Sequence, residues 1–458
     1  MTAPVSEATP PRVAFDRPTW IRLLVLCAAV LFEGMSLSGI SIQLADIQRD
    51  LELPADRLQL VASAFLATYA GFLPAGGRFA DRWGRRRMFR TGVAVFGAGS
   101  LAAALAQESL LLVVARAVQG LGAAATAPAA VALIVTAFPE GAARNRALGV
   151  FSAMGAAGFS LGVVLGGLLT AGTGWRGGFL LYVPLSLLVL VLARRLPADS
   201  GHAAPGERTG WAQPALLVAG LITTVYAVGR VGSGSLPAVA AVAAAGVSAL
   251  VVFAIVQSRS RRPLLPPGLA TDRRMLAASL GLGGGFAAVT GAMFLVATAL
   301  QDERGWSALD TGLGFLPQGL AVAALSTAAA GLANGRPPAR PLLAGLAVLA
   351  LGQLLYVTAP TGAYLTGLLP AALLVGAGIA LAYPAAALLA SAAATARDQG
   401  AASGLLTTCQ QAGSALGVAA VTALESSAAG SGLWGCFGCA LVTCAGCALL
   451  LRRGGPKV

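Results

Sequence analysis

Charge is what this sequence has least of. Of its 458 residues only 11% are Asp, Glu, Lys or Arg, while 57% are hydrophobic, and the mean hydropathy is +0.79. A water-soluble domain of this size needs far more charge to cover its surface. Histidine occurs once, at His202, and lysine once, at Lys457. The apolar stretches hold no metal-ligating cluster, no nucleotide-binding loop and no paired nucleophile and base, so an enzyme is not expected, nor a catalytic residue, a metal or a cofactor. The basic segments lack the interleaved aromatics of a nucleic-acid surface, and the net charge of +13 calls for no such partner. Four of the six cysteines, Cys436, Cys439, Cys444 and Cys447, share one apolar segment. Strung along ~16 Å of helix, they cannot surround a single ion and read as small packing residues.

What the chain has instead is long apolar runs of roughly 17–28 residues, the length that crosses a hydrocarbon core ~30 Å thick. They lack strand-like alternation, so they are expected to be helices. Charged and Gly/Pro-rich breaks separate fourteen of them, at 20–44, 58–80, 88–106, 110–137, 147–170, 179–193, 211–228, 236–256, 275–300, 311–332, 342–357, 364–389, 401–424 and 432–451. The first is too long for a signal-peptide core and reads as retained. With the N-terminus inside, Arg49, Arg57, Arg176, Arg230 and Arg304 fall outside and Arg116 falls within a span. The other 25 of the 31 Lys and Arg then lie on the cytoplasmic side. That bias is a strong positive-inside signal and places both termini in the cytoplasm.

The chain also resembles itself. Gly149, Gly158 and Gly162 in the fifth span are matched in register by Gly404, Gly413 and Gly417 in the thirteenth. Gly120, Gly122 and Pro128 in the fourth are matched by Gly376, Gly378 and Pro384 in the twelfth. Among 59 glycines one pair means nothing, but six positions in near-constant register point to duplication. The expected domains are a six-helix half at 1–200, a linker with two inserted helices at 201–270, and a second six-helix half at 271–458. Two such repeats facing a midplane cavity suit alternating access.

Between the second and third spans runs Gly77-Arg-Phe-Ala-Asp81-Arg82-Trp-Gly84-Arg85-Arg86-Arg87. Gly77 permits close helix approach, Gly84 a tight turn, and Asp81 suits the positive N-terminal end of another helix. The fourth span reads Leu112-Val-Val-Ala-Arg116-Ala-Val-Gln119-Gly120-Leu-Gly122, and the fifth Gly158-Phe-Ser-Leu-Gly162-Val163-Val-Leu-Gly166-Gly167. These strings resemble signature motifs of the major facilitator superfamily. Leu44–Leu51, Trp175-Arg176 with Val183-Pro184, and Gly312–Pro317 are similar to its fourteen-helix branch, the drug:proton antiporter family 2. The resemblance runs from about residue 20 to 451. It implies a two-halved helical transporter in a bacterial cytoplasmic membrane that exports hydrophobic or amphipathic drugs or antibiotics in exchange for protons. It also implies a cytoplasmic gating loop in which Asp81 meets the start of the thirteenth helix, near residues 399–402. The sequence departs from the family at Ser36, where an aspartate is usual, at Ala45, where a proline is usual, and at Val163, where the antiporter motif has proline. Gly158, Gly162, Gly166 and Gly167 suit helix packing equally well.

Glu33 is the only acid deep in any span, ~20 Å from Trp20 and ~16 Å from Leu44. Burial disfavours its charge, while a nearby Arg116, ~7 Å nearer the outside, would favour it. The pair is the candidate proton-coupling site, with Asp46 and Asp310 the next acids in line. Arg116 lies ~9 Å from the external end, so a snorkelling role is the alternative. A structural Glu–Arg pair, or a buried neutral glutamate, is the alternative for Glu33. Tyr69, Gln318, Gln353, Gln410 and Gln411 are candidates for a cavity around a small hydrophobic substrate. The partners expected are that substrate, protons and the lipid bilayer, with the protein a monomer. A uniporter or importer of a metabolite, or a non-transporting scaffold or sensor, are the rival functions. The topology is open to direct test: reporters fused after Arg195 and after Arg262 should both report cytoplasm. A result on opposite sides would remove the inserted hairpin.

Overall fold

Where water is scarce a backbone must satisfy its own polar groups, and this chain does so with helices. The computed structural model describes residues 16–139, 142–196, 212–231, 235–260, 263, 267–333, 337–358, 364–395, 398–428 and 430–452, and no strand occurs among them. His202, Lys457 and most of the first linker lie outside the described residues. In chain order come α1 (Arg17–Asp50), α2 (Ala55–Trp83), α3 (Arg85–Ala104), α4 (Ser109–Ala137), α5 (Ala142–Thr173), α6 (Trp175–Leu180) and α7 (Tyr182–Leu192). After the linker follow α8 (Ala212–Gly229), α9 (Leu236–Arg259), the short α10 (Pro267–Thr271), α11 (Arg273–Asp302), α12 (Ala308–Ala333), α13 (Ala339–Thr358), α14 (Leu368–Ala393), α15 (Gln399–Ser427) and α16 (Ser431–Arg452). Each predicted span falls on one of these helices. The sixth begins earlier than its charge pattern suggested, at Trp175, and is shared by α6 and α7.

Among the described residues eleven helical segments are long and apolar enough by themselves to cross a membrane, and α3, α5 and α15 are not among them. For α3 and α15 the reason is compositional: α3 opens on Arg85, Arg86 and Arg87, and α15 is rich in Gly, Ser, Thr and Gln. Small residues lower hydropathy but let backbones approach. The helix ends follow local rules. Asp16 caps α1 by accepting from the Thr19 amide at 3.2 Å, and Asp272 caps α11 by accepting from Arg274 and Met275 at 2.7 and 3.2 Å. Gly84 ends α2 and starts α3 at φ 94°, a conformation that favours glycine.

Packing among the first six spans recurs among the last six. α1 lies on α5 as α11 lies on α15, while α2 and α3 flank α4 as α12 and α13 flank α14. The matched glycines make matched contacts. A Cβ on Gly158 or Gly162 would run into the backbone of Leu31 or Met35 on α1; one on Gly413 or Gly417 would run into Gly283 or Ala287 on α11. Gly120 abuts the Phe65 carbonyl on α2 as Gly376 abuts that of Gln318 on α12. A Cβ on Gly99 would lie 2.9 Å from the Gln119 amide nitrogen, and one on Gly352 2.9 Å from that of Val375. The surroundings of Gly149, by contrast, lie outside what is described, and a Cβ on its match Gly404 would meet nothing within 4 Å.

Two seams join the sets: α2 packs on α15, and α5 on α12. In the first, Thr408 Oγ1 donates to the Ala70 carbonyl at 3.2 Å; in the second, a Cβ on Gly312 would lie 2.6 Å from the Val163 carbonyl. Toward the C-terminal end of α1, Gln301 Nε2 on α11 donates to the Ile42 carbonyl at 3.2 Å. The inserted α8 lies against both α2 and α15, burying Leu217 and Leu221 with Ala67 and Ala70. On α9 only Gly246 is buried among the described residues, so that helix is outermost.

The repeat carries a prediction. Gly413→Val and Gly158→Val should each lower the yield of folded protein in the membrane, because overpacking costs about 1–3 kcal/mol or more. Gly438→Val, where a Cβ meets nothing within 4 Å, should be tolerated. Equal yields for all three, read by fluorescence-detected size exclusion, would contradict the packing described.

Candidate functional site

The close α1–α5 contact turns the other side of α1 toward α2 and α4. Glu33 lies there, with 5% of its surface exposed. Tyr69 on α2 donates its phenol O–H to Glu33 Oε2 at 2.8 Å, and Thr126 on α4 donates its hydroxyl to Oε1 at 2.8 Å. Gly120, two turns before Thr126, brings α4 onto α2 and so sets both donors about the carboxylate. Tyr69 is itself packed on Phe65, with ring centroids 5.8 Å apart.

One turn along α1, Ser36 accepts a hydrogen bond from Arg116 Nη1 at 2.7 Å. The same nitrogen donates to Gln119 Oε1 at 2.9 Å, and Arg116 Nε donates to the Val61 carbonyl at 3.3 Å. Gln119 Nε2 donates to Ser100 Oγ at 2.8 Å, which donates in turn to the Phe96 carbonyl at 2.7 Å. The guanidinium carbon lies 4.7 Å from the Phe65 ring centroid and 5.9 Å from that of Phe179, within range of cation–π attraction. Arg116 is wholly buried, so it does not snorkel outward. Nor does it form an ion pair with Glu33: the two are separate centres on one face of α1, with Ser36 receiving the arginine. Ser36 is thus the arginine's partner at the very position where an aspartate was expected. Beside it lies a small cavity lined in part by Ser36, Gln43, Gly162, Gly178 and Tyr182.

The other candidates are dispersed. Tyr69 is buried against Glu33. Gln318 on α12 and Gln353 on α13 are buried at 3% and 1% exposure, and the Tyr356 hydroxyl donates to Gln318 Oε1 at 3.5 Å. Neither amide atom of Gln353 has a hydrogen-bond partner among the described residues. Gln410 and Gln411 are buried on α15. Of the gating loop, Gly77, Asp81 and Arg82 lie in the last turns of α2 and Arg85 and Arg86 open α3; the Asp81 side chain lies outside the described residues. Arg86 Nη2 donates to the Arg194 carbonyl at 2.8 Å, tying the loop to the end of the sixth span. In α5, Gly158, Gly162 and Gly166 face α1 and Gly167 faces Ala308 of α12. Val163 keeps the N–H a proline would lack, and Ser38 Oγ donates to the Phe159 carbonyl one turn before it at 2.6 Å.

Asp46 and Asp310 serve helix ends. Asp46 pairs with Arg49, and Asp310 Oδ2 accepts from Ser307 Oγ at 2.6 Å at the start of α12. The sulfurs of Cys439, Cys444 and Cys447 point to three separate carbonyls, of Gly284, Leu343 and Ala277. Sequence reasoning passed over Thr126. Its signal was faint: a hydroxyl two residues before Pro128 in an otherwise apolar span.

The model of the Major Facilitator Superfamily matches residues 24–418. The puromycin resistance protein of Streptomyces alboniger is 36% identical over 424 residues, covering 90% of this chain and 83% of that protein. The cephamycin export protein of Amycolatopsis lactamdurans is 34% identical, covering 88% and 85%, and the lincomycin resistance protein of Streptomyces lincolnensis 32%, covering 93% and 88%. A crystal structure of the peptide transporter POT in complex with sulfate superposes with a TM-score of 0.70 at 19% identity, over 97% of this chain and 96% of that one, a likeness of fold alone. The chain belongs to the major facilitator superfamily and is a membrane transporter rather than an enzyme.

Proposed function

We propose that the protein exports a hydrophobic or amphipathic antibiotic from a bacterial cell in exchange for protons, with Glu33 as the proton carrier. The observation that carries the coupling is a lone deep carboxylate whose two oxygens are both held by neutral hydroxyls. An isolated ionised carboxylate in such surroundings costs many kcal/mol, so it needs donors when charged and a proton when they are insufficient. Export of antibiotics is supported by the three relatives named for resistance or export, each matched along more than four-fifths of its length. Arg116 tunes release through Ser36, which places its fixed charge a turn from Glu33 without quenching it.

The architecture follows the same reading. The recurrent glycine contacts support two six-helix halves, 1–200 and 271–458, joined through 201–270 with α8 and α9 inserted. That gives fourteen crossings with both termini cytoplasmic in the inner membrane, and the protein acts as a monomer. The halves rock about the α2–α15 and α5–α12 seams. Thr408 bonds Ala70 in the α2–α15 seam. With the two helices antiparallel, as fourteen crossings require, Asp81, eleven residues after Ala70, would come level with the start of α15, where a carboxylate would favour the closed cytoplasmic side.

The test is transport of puromycin and of lincomycin into inverted membrane vesicles with an acidic interior. Wild-type protein should concentrate one or both, and collapse of the pH gradient should abolish concentration. Glu33→Gln should lose uphill uptake while still letting substrate equilibrate. Uphill uptake by Glu33→Gln with unchanged proton cost would move the proton site elsewhere. Equilibration without concentration by wild type would indicate a uniporter, and no movement a scaffold.

A further inference from the structure

The hydrogen bonds at Glu33 describe one protonation state only. Both carboxylate oxygens accept, Oε2 from Tyr69 and Oε1 from Thr126, each at 2.8 Å. An ionised carboxylate can only accept; a protonated one must also donate. When Glu33 takes a proton, one of its two partners must therefore change from donor to acceptor, or a buried O–H is left facing another hydrogen.

The two hydroxyls differ in their freedom to do so. Thr126 Oγ1 lies 2.8 Å from Glu33 Oε1 and also 3.1 Å from the Gly122 carbonyl and 3.0 Å from the Ala123 carbonyl of its own helix. Rotation about its C–O bond swings the hydrogen from the carboxylate to one of those carbonyls with no heavy atom moving. A lone pair is then presented to Glu33. Among the described residues the Tyr69 hydroxyl bonds Glu33 Oε2 and no second acceptor, so turning its hydrogen away would leave that hydrogen unpaired, and it stays a donor in both states.

We propose that Thr126 is a positioning residue for proton exchange, its hydroxyl reversing direction each time Glu33 gains or loses the proton. The proposal rests on Glu33 being the proton carrier. In the forward step a hydronium ion on the open side breaks one of its O–H bonds and leaves as water, and its proton forms an O–H bond at Oε1. The Thr126 O–H bond stays intact and only turns to the Gly122 or Ala123 carbonyl. Release on the other side returns the proton to water and the Thr126 hydrogen to the carboxylate. Neither state leaves an unpaired polar atom at Oε1, which would otherwise cost about 1–3 kcal/mol and bias the cycle toward one state.

The charged and titratable groups around Glu33 are few. Tyr69 comes from α2, Arg116 from α4 by way of Ser36, and Tyr182 from α7 beside Phe32. Tyr383 of α14 is in electrostatic range of the Tyr69 hydroxyl. The arginines and acids of α5, α11 and α12 lie at their helix ends.

The experiment compares Thr126→Val, which has nearly the same shape but no hydroxyl, with Thr126→Ser, which keeps it. Uphill uptake of puromycin into inverted vesicles is measured across a range of external pH, with Glu33→Gln alongside. If puromycin is not concentrated by wild type, lincomycin serves as the probe. Thr126→Val removes a charge-assisted bond from the ionised acid and a weaker, neutral bond from the protonated acid. Its pH midpoint should therefore move alkaline by about one unit or more, with concentration falling roughly tenfold. Thr126→Ser should restore the profile. If Thr126→Val fails to reach the membrane, Thr126→Ala carries the same comparison. A wild-type pH profile in Thr126→Val or Thr126→Ala overturns the switch and leaves Glu33 in place, provided Glu33→Gln loses uphill uptake. Uphill uptake by Glu33→Gln overturns both.

Discussion

A carboxylate in the middle of an apolar bundle has to be met by donors or carry a proton, and the arrangement around Glu33 is built on that condition. The α1–α5 contact, made by Gly158 and Gly162 against Leu31 and Met35, turns the acid toward α2 and α4. The α2–α4 contact at Gly120 then brings Tyr69 and Thr126 to either oxygen. Loosening either contact would leave the acid without one donor, at a cost of about 1–3 kcal/mol for each unpaired buried group. Small residues far from the chemistry thereby fix the chemistry.

The repeat separates what is geometric from what is chemical. The glycine contacts of α1, α4 and α5 reappear in α11, α14 and α15, but the polar groups do not. In matching register, Arg116 becomes Ala372, Gln119 becomes Val375 and Thr126 becomes Ala382, while Phe65 and Ser100 become Gln318 and Gln353. The later set thus buries uncharged amides where the earlier one buries an arginine network. Among the described residues the buried charges, Glu33 and Arg116, lie on one side of the seams, so a change in Glu33 alters the electrostatics of one set against a partner whose buried polar groups are uncharged. That asymmetry suits a machine in which one set senses the proton and both share the substrate.

Helices, glycine register and loop motif were legible in the sequence because each depends on spacing along one chain segment. Gly84 at a positive φ and the matched contacts of Gly158 and Gly413 are of that kind. Polar partnerships were not. Arg116 and Glu33 stand out as the two deep charges, and pairing them is the natural reading, yet the arginine reaches Ser36 and Gln119 instead. Which way a long side chain turns depends on three other helices, and nothing local encodes it. Tyr69 was legible as a polar group in an apolar span, but its bond to Glu33 crosses from α2 to α1. Thr126 gave only a faint signal for the same reason, since a threonine in a helix ordinarily bonds its own backbone. Gln318 and Gln353 stood out by composition and turned out to be buried within α12 and α13.

The central claim is that one buried carboxylate binds the proton that the substrate displaces. Its most direct test uses purified transporter in weakly buffered detergent solution with a pH-indicator dye, to which puromycin or lincomycin is added. The account predicts release of about one proton per substrate bound when Glu33 is protonated at the start, and none from Glu33→Gln that still binds the compound. Equal proton release from both proteins would contradict it.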